Sequence, residues 1–247
     1  MFNLSEEAPV ELIINGEKYL TFMCTPINLN ELAAGHLYSS GLIDNVKDIN
    51  SLAACDDIKK ISVNMARTID EGVFQLNNVL ASSCGSGSQY NERFFQRPKN
   101  ESSYEILLSK LKELAIEMFS NAELYKKHGG IHCAALSDGN KILALREDVG
   151  RHNAVDKVIG KGVFLEVDFN NSIIITTGRI STDMILKAVN TGIPIVVSRS
   201  IPTTMAYEIA ERLGITIVGR IVSKEPVIYT HEKRIKQSIG WQDKARR

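Results

Sequence analysis

The chain carries no surplus of charge of either sign: Lys+Arg 29 stand against Asp+Glu 29, for a formal net charge of zero. That balance argues against a general nucleic-acid or membrane-surface binder, which would show a basic excess. Cysteine is scarce, with four residues at positions 24, 55, 84 and 133 and no Cys-x-x-Cys spacing. A disulfide framework is therefore excluded, and free thiols in a reducing compartment are expected. No apolar run approaches the roughly 18 residues that a membrane helix needs. The opening MFNLSEEAPVELI places acids where a signal peptide would have a basic region and an apolar core, so a soluble, cytoplasmic chain is expected. Gly-x-Gly-x-x-Gly and Gly-x-x-x-x-Gly-Lys-[Ser/Thr] are both missing, which disfavours ordinary NAD and ATP sites. There is no internal repeat.

What is present is a globular composition: 247 residues, 44% hydrophobic and 23% charged. That suffices for one large domain or a large and a small one, with no need of a disulfide or metal to fold. Residues 9–24 alternate apolar and polar around Asn15-Gly16, which predicts a β-hairpin. A short helix follows over Glu31 to Ser40, capped by Asn28 or Asn30 and closed by Gly41. Residues 58–80 hold two strand-like runs, and residues 82–89, SSCGSGSQ, read as a loop. Residues 91–102 look like a linker, and Ser103 to Lys127 show the three- and four-residue recurrence of an amphipathic helix. A domain boundary is placed near residue 100, giving an N-terminal α+β domain over 1–100 and an α/β domain over 101–247. In the second half, strands at 131–136, 141–146, 172–177, 193–198 and 215–221 alternate with helices at 151–161, 181–191 and 203–213. The alternation predicts an α/β layer with a mostly parallel central sheet.

Cys84 lies between serines and the glycines Gly85 and Gly87. A loop of this kind leaves the sulfur accessible and lets backbone N–H groups face it, which favours the nucleophilic thiolate. An inert surface thiol fits the segment equally well. Cys133, inside a strand, reads as a packed core thiol, and Cys24 and Cys55 are most simply structural. In EDVGRHNAVDK, 147–157, Gly150 precedes a helix that opens with Arg151, His152 and Asn153. A helix start with exposed N–H donors beside Arg and His is an anion site. Glu147 and Asp148 could be acid/base carboxylates, but a helix cap or a partner for Arg146 and Arg151 is the simpler assignment. Asp156 and Lys157, one turn further in, are expected to pair with each other. The same strand–turn–helix device recurs at 178–181 and 199–204. Three such turns predict a pocket for a ligand with several phosphates, lined by Arg151, His152, Gly178, Arg179, Ser181, Arg199 and Thr203. Zinc chemistry is not expected. His132, Cys133 and Cys84 lack ligand spacing, and His-Cys-Ala at 132–134 has no glutamate to move protons.

The segments CTPINLNELAAGHLYSSGLI (24–43), SSCGSGS (82–88), GGIHCAAL (129–136), EDVGRHNAVDKVIGK (147–161), residues 176–220 and YTH (229–231) together resemble the formate dehydrogenase accessory sulfurtransferases, the FdhD/NarQ family. The resemblance spans nearly the whole chain. It implies a cytidine-deaminase-like three-layer α/β core that has lost its zinc, with the smaller N-terminal α+β domain beside it. It also implies a sulfurtransferase that receives sulfur from a cysteine desulfurase as a cysteine persulfide. The sulfur passes to the bis-molybdopterin guanine dinucleotide cofactor (Mo or W) that formate dehydrogenase needs, and a homodimer is expected. Cys84 falls on the first cysteine of the family's Cys-Gly-x-Cys-Gly loop and is the expected sulfur acceptor, with Gly85 beside it. On the same ground Gly130, His132, Asn153, Arg220 and Lys224 join the residues expected to hold the cofactor. Two departures stand out. The loop's second cysteine is Gly87, and the aromatic-plus-arginine segment near the C-terminus reads RIVSKE at 220–225. The first departure keeps open a rival function, a chaperone that delivers the cofactor without handling sulfur.

Overall fold

The computed structural model describes residues 4–55, 59–66 and 97–237. Strands β1 (Ala8–Ile14) and β2 (Glu17–Cys24) form the expected hairpin. Its turn is Asn15 (φ 51°) and Gly16 (φ 89°), both in the left-handed region that a two-residue turn matching the strand twist requires. Helix α1 (Leu29–Ser39) follows, two residues earlier at its start than the sequence suggests. Asn28, at φ 55°, precedes it but makes no side-chain cap. Strands β3 (Ile49–Cys55) and β4 (Lys60–Met65) complete a four-stranded sheet in the order β2-β1-β4-β3. β3 was not anticipated: its apolar positions are only half buried at the sheet edge, so its alternation is weak.

The second half is built on a six-stranded sheet in the order β11-β10-β9-β8-β6-β7. Its strands are β6 (His132–Ser137), β7 (Ile142–Asp148), β8 (Ile173–Thr176), β9 (Ile195–Ser198), β10 (Thr216–Gly219) and β11 (Val227–Ile228). Only β8, β9 and β10 are mutually parallel; β6, β7 and β11 run antiparallel to their neighbours. The sheet is thus mixed, not mostly parallel. The reason is local: the turn at Asp138-Gly139 (Gly139 φ 88°) joins β6 and β7 as a hairpin, and β11 folds back on β10 without a crossover helix. A further short pair, β5 (Ile106–Leu107) with β12 (Ile235–Lys236), lies outside this sheet.

Helices cover both faces. Helix α2 (Leu108–Asn121) buries Leu111, Leu114, Ala115 and Met118 with Cys133, Ala135, Ile175 and Val197. The single helix expected over 103–127 is two, because Ala122 (ψ 91°) leaves the helical region before α3 (Glu123–His128) begins. On the other face lie α4 (Arg151–Phe164), α5 (Thr182–Thr191) and α6 (Thr204–Leu213), packed on Leu136, Ile174, Val196 and Ile217. The polar stretch before β5 is fastened down where it is described. Asn100 N donates to Leu213 O at 2.8 Å, its Nδ2 to Gly192 O at 2.7 Å, and Arg234 Nη2 donates to Asn100 O at 3.1 Å.

The N-terminal layer joins the second half where α1 crosses α4. A Cβ on Gly35 would lie 1.8 Å from Asp156 O, and one on Gly160 would lie 1.8 Å from Glu31 O. The two glycines let the backbones touch. Gly160→Ala must push the helices apart, and we expect a loss of about 3 kcal/mol in urea unfolding, the upper end of ordinary overpacking. Gly130→Ala, where nothing lies within 4 Å, serves as the control and is expected to stay within about 0.5 kcal/mol of the parent.

Candidate functional site

Parallel pairing decides where the site residues fall. Thr176 pairs with Ser198 and Val218 with Val197, so β8, β9 and β10 end at one edge of the sheet. β6 runs the other way, with Ala134 opposite Thr176, which brings its first residue, His132, to that edge. His132 pairs in turn with Asp148, the last residue of β7. The turns that follow β7, β8 and β9 lead into α4, α5 and α6. Three helix starts therefore share one rim with His132, as open α/β sheets commonly provide.

The contacts along this rim are specific. Arg151 lies against Gly178, where a Cβ would come within 2.8 Å of Arg151 Cβ. His132 Nδ1 is 3.2 Å from Thr177 Oγ1, which also accepts from Cys133 N at 3.1 Å. His152 Nε2 lies 3.1 Å from Ser181 Oγ and 3.5 Å from Asp183 Oδ2. Ser198 Oγ donates to Gly178 O at 2.5 Å and accepts from Ser200 N at 2.9 Å, which joins the second turn to the third. Ile180 and Pro202 form a parallel bridge, with Thr203 N donating to Ile180 O at 2.9 Å. Arg220 N donates to Ser200 O at 3.0 Å and brings the end of β10 to the same rim.

Two of the helix starts are free of side-chain caps. Gly150 cannot cap α4, and Ser181, the N-cap of α5, makes no capping bond; its hydroxyl is at His152 instead. Thr203 does cap α6, accepting from Ala206 N at 3.3 Å. Uncapped N–H groups at α4 and α5 keep their partial positive charge for a ligand. Among the described residues, no carboxylate pairs with Arg151, Arg179, Arg199 or Arg220. Arg151 Nε is buried with no hydrogen-bond partner. Burial, and then the Arg179 charge, lower the Arg151 pKa against a smaller opposing effect of Asp183. Burial also lowers both histidines, with Arg151 adding to the effect on each; at His152 the nearby Asp183 carboxylate opposes it without reversing the direction. Both imidazoles are thus disfavoured in their charged form, beside guanidinium groups that no carboxylate neutralises among the described residues. An anion with several oxygens fits this rim: it would satisfy Arg151 Nε and offset the like-charge crowding.

Not every expected residue joins in. Cys84 and Gly85 lie outside the described residues. Gly130 is exposed just ahead of β6. Asn153, half-buried, turns to the hairpin and to β7, its Nδ2 donating to Met23 O at 2.8 Å and Asp148 Oδ1 at 3.1 Å. Lys224 lines an open cleft of about 740 Å³ with Arg220, Ser223 and Val227, which Arg220 links to the end of β10, and its carbonyl accepts from Lys112 Nζ at 3.5 Å. Cys133 is fully buried, and burial pushes its thiol up to about 12, with Glu147 adding to the effect. Cys24 is likewise buried and raised to about 12 by burial and by Asp148. Among the described residues, no cluster of three His, Cys, Asp or Glu groups could hold a metal.

The acids of EDVGRHNAVDK are supports. Successive residues of β7 face opposite sides of the sheet. Glu147 takes Tyr125 N at 2.6 Å and Leu124 N at 3.0 Å, so it caps α3 from a neighbouring strand. It pairs with neither Arg146 nor Arg151; Arg146 Nη2 instead donates to Glu31 Oε1 at 2.8 Å. Asp148 receives Lys157 Nζ at 2.6 Å, Thr25 N at 3.1 Å, Gly150 N at 2.7 Å and Asn153 Nδ2. Lys157 also donates to Thr25 O at 2.9 Å. Asp156 and Lys157 therefore do not pair with each other. Asp156 points to the other flank of α4, where Lys187 Nζ reaches it at 2.8 Å, Ser39 Oγ donates at 2.7 Å and His36 Nδ1 lies at 3.4 Å. Burial would raise the Asp156 carboxyl, but the Lys187 ammonium and His36 outweigh it and hold the pKa well below the ordinary value. Adjacent helix positions diverge by about 100°, so these neighbours in sequence serve different interfaces. Thr177, Asp183 and Tyr125 were not singled out from the sequence. Thr177 stands in the quoted TTGR segment, whereas Tyr125 shows only as part of an amphipathic run.

The family model described as "FdhD/NarQ family" matches residues 5–236 of this chain. A protein of Bacillus subtilis (strain 168) named sulfur carrier protein FdhD is 33% identical over 235 residues, covering 94% of this chain and 89% of that protein. One of the same name from Shouchella clausii (strain KSM-K16) is 35% identical over 239 residues, with the same coverage of each. A crystal structure from Desulfotalea psychrophila, provisionally described as a formate dehydrogenase accessory protein, superposes with a TM-score of 0.76 at 27% identity, over 94% of this chain and 90% of that one.

Asp148 and Lys157 are both fully buried, so removing one partner strands the other charge. Lys157→Met is expected to cost about 3–5 kcal/mol of unfolding free energy, and Asp148→Asn/Lys157→Met together less than Lys157→Met alone. Urea titration of the three proteins checks this.

Proposed function

This chain belongs to the FdhD/NarQ family, and on that premise we propose that it carries sulfur for formate dehydrogenase. Cys84 is the carrier, and the rim of His132, Arg151, His152, Arg179 and Arg199 is the phosphate cradle of the bis-molybdopterin guanine dinucleotide substrate. The observation that carries the cradle is the buried Arg151 Nε with no hydrogen-bond partner, close to the charge of Arg179 and to two helix starts without side-chain caps, with no carboxylate paired to either arginine among the described residues. Such a rim matches a diphosphate bridge: oxygens for the guanidinium forks, and N–H groups at α4 and α5 for the rest.

The sulfur step is thiol exchange. The Cys84 thiolate attacks the terminal sulfur of a persulfide on a cysteine desulfurase. A bond forms between Cys84 Sγ and that sulfur, the desulfurase's own S–S bond breaks, and its cysteine leaves as thiolate. No net redox occurs in this exchange. Onward delivery as sulfide needs two electrons, from the reduced metal of the substrate or from an external thiol, since Gly87 stands where a second cysteine would resolve the persulfide. Cys133 does not replace it: its thiol is buried and raised to about 12. The protein acts here as a sulfurtransferase, working as a homodimer with a desulfurase donor.

Gly87 also favours a second function, a cofactor chaperone that leaves sulfur alone. The two separate on Cys84. After incubation with a desulfurase and cysteine, the sulfur carrier shows a one-sulfur mass adduct by intact mass spectrometry, and Cys84→Ala shows none and fails to activate formate dehydrogenase in a complemented strain. An active Cys84→Ala protein establishes the chaperone instead.

The cradle predicts a pH dependence. Burial and Arg151 hold the two histidines below their ordinary pKa, and a bound polyphosphate raises them again. Binding therefore takes up protons at the histidines, and GDP affinity, with GDP standing for the substrate's guanine diphosphate end, increases as pH falls from 8 to 7, above the range in which the terminal phosphate of GDP itself protonates. Calorimetry in two buffers of different ionisation enthalpy reads the uptake, which shrinks in His152→Gln.

A further inference from the structure

One cation of this rim has a support that the phosphate cradle alone does not explain. Arg199 is exposed, and its Nη1 donates to the Tyr125 hydroxyl at 2.6 Å. Its Cζ sits 5.8 Å from the centroid of the Phe119 ring, which in turn lies 6.1 Å from the Tyr125 ring at an interplanar angle of 55°. Tyr125 is fixed at its other end, because its backbone N–H donates to the buried Glu147. Among the described residues, the two groups that hold the Arg199 guanidinium, the Tyr125 hydroxyl and the Phe119 ring, are both neutral. A phenol and an aromatic face hold the side chain in place without cancelling its charge, as a carboxylate would.

We propose that Tyr125 is a positioning residue of the phosphate cradle: together with Phe119 it holds the Arg199 guanidinium ready at the rim for a phosphate oxygen. This rests on the cradle described under the proposed function. A free arginine must be ordered on binding, and ordering it beforehand removes that cost from the affinity. The Tyr125 oxygen accepts from Arg199, which leaves its own O–H free to donate to the same anion. The contact runs from Glu147 through Tyr125 to Arg199, so the strand that ends in Asp148 supports the third turn as well as the first.

The test is calorimetric titration of the full-length chain with GDP, comparing the parent with Tyr125→Phe, Arg199→Ala and the double variant, alongside their unfolding midpoints. Tyr125→Phe keeps the ring and loses only the hydroxyl. It is expected to weaken GDP binding about fivefold, the usual worth of one hydrogen bond, with an unchanged midpoint. Arg199→Ala weakens binding at least as much, and adding Tyr125→Phe to it changes nothing further. A merely structural role in α3 would cost affinity equally in both backgrounds. That result, or a Tyr125→Phe protein that binds GDP like the parent, overturns the proposal. Should Arg199→Ala bind normally while Arg151→Ala does not, the cradle stands and the role of Tyr125 falls. Should the parent itself bind no GDP, the cradle fails and takes this role with it.

Discussion

The buried pair of Asp148 and Lys157 is the constraint on which the rest of the arrangement depends. Two opposite charges with no exposure at all are tolerable only when each is fully occupied by hydrogen bonds. Here the partners come from three places in the chain. Thr25 supplies both its N–H and its carbonyl, Gly150 and Asn153 supply the start of α4, and β7 supplies the carboxylate. Thr25 Oγ1 also accepts from Val149 N at 3.1 Å. Satisfying this one carboxylate sets the exit of the hairpin, the end of β7 and the first turn of α4 in a single geometry. Arg151 and His152 then project from a helix start that has no freedom to drift.

Strand alternation extends this control to both faces of the sheet. Glu147 and Asp148 are consecutive, so one reaches toward α3 and the other toward α4. Each carboxylate is occupied by backbone or ammonium donors that it holds in place. The guanidinium groups of the rim, by contrast, have no carboxylate of their own among the described residues. Negative charge is kept inside, where it organises the backbone, and positive charge is left outside, where it attracts a ligand. Asp183 is the exception on the rim, 3.5 Å from His152, and it tempers the cationic field at the start of α5.

Much of this was legible from local chemistry. Asn15-Gly16 specified the hairpin, the β-branched run at 172–177 specified an inner strand, and Gly150, Ser181 and Thr203 marked three helix starts. Register then did what sequence could not, because only the pairing of Ala134 with Thr176 brings His132 to the same rim. The short strands β5, β11 and β12 escaped notice because two-residue pairings leave no periodic signal. The partners of Asp156 and Lys157 were misread for a related reason. Neighbours along a helix point in different directions, and Lys187 and Thr25 are distant in sequence. Tyr125 was hidden inside a helix-like pattern that gave no hint of the break at Ala122.

The crossing of α1 and α4 has a consequence for how this protein tolerates change. At both Gly35 and Gly160 the atom in the way of a new methyl group is a main-chain carbonyl oxygen, which every amino acid carries. A substitution at either glycine thus has no suppressor on the opposing helix, for no exchange of side chains there creates room. Relief requires the whole axis of α4 to move, and Asp156 with Lys187 on one flank and Lys157 with Asp148 on the other hold that axis in place.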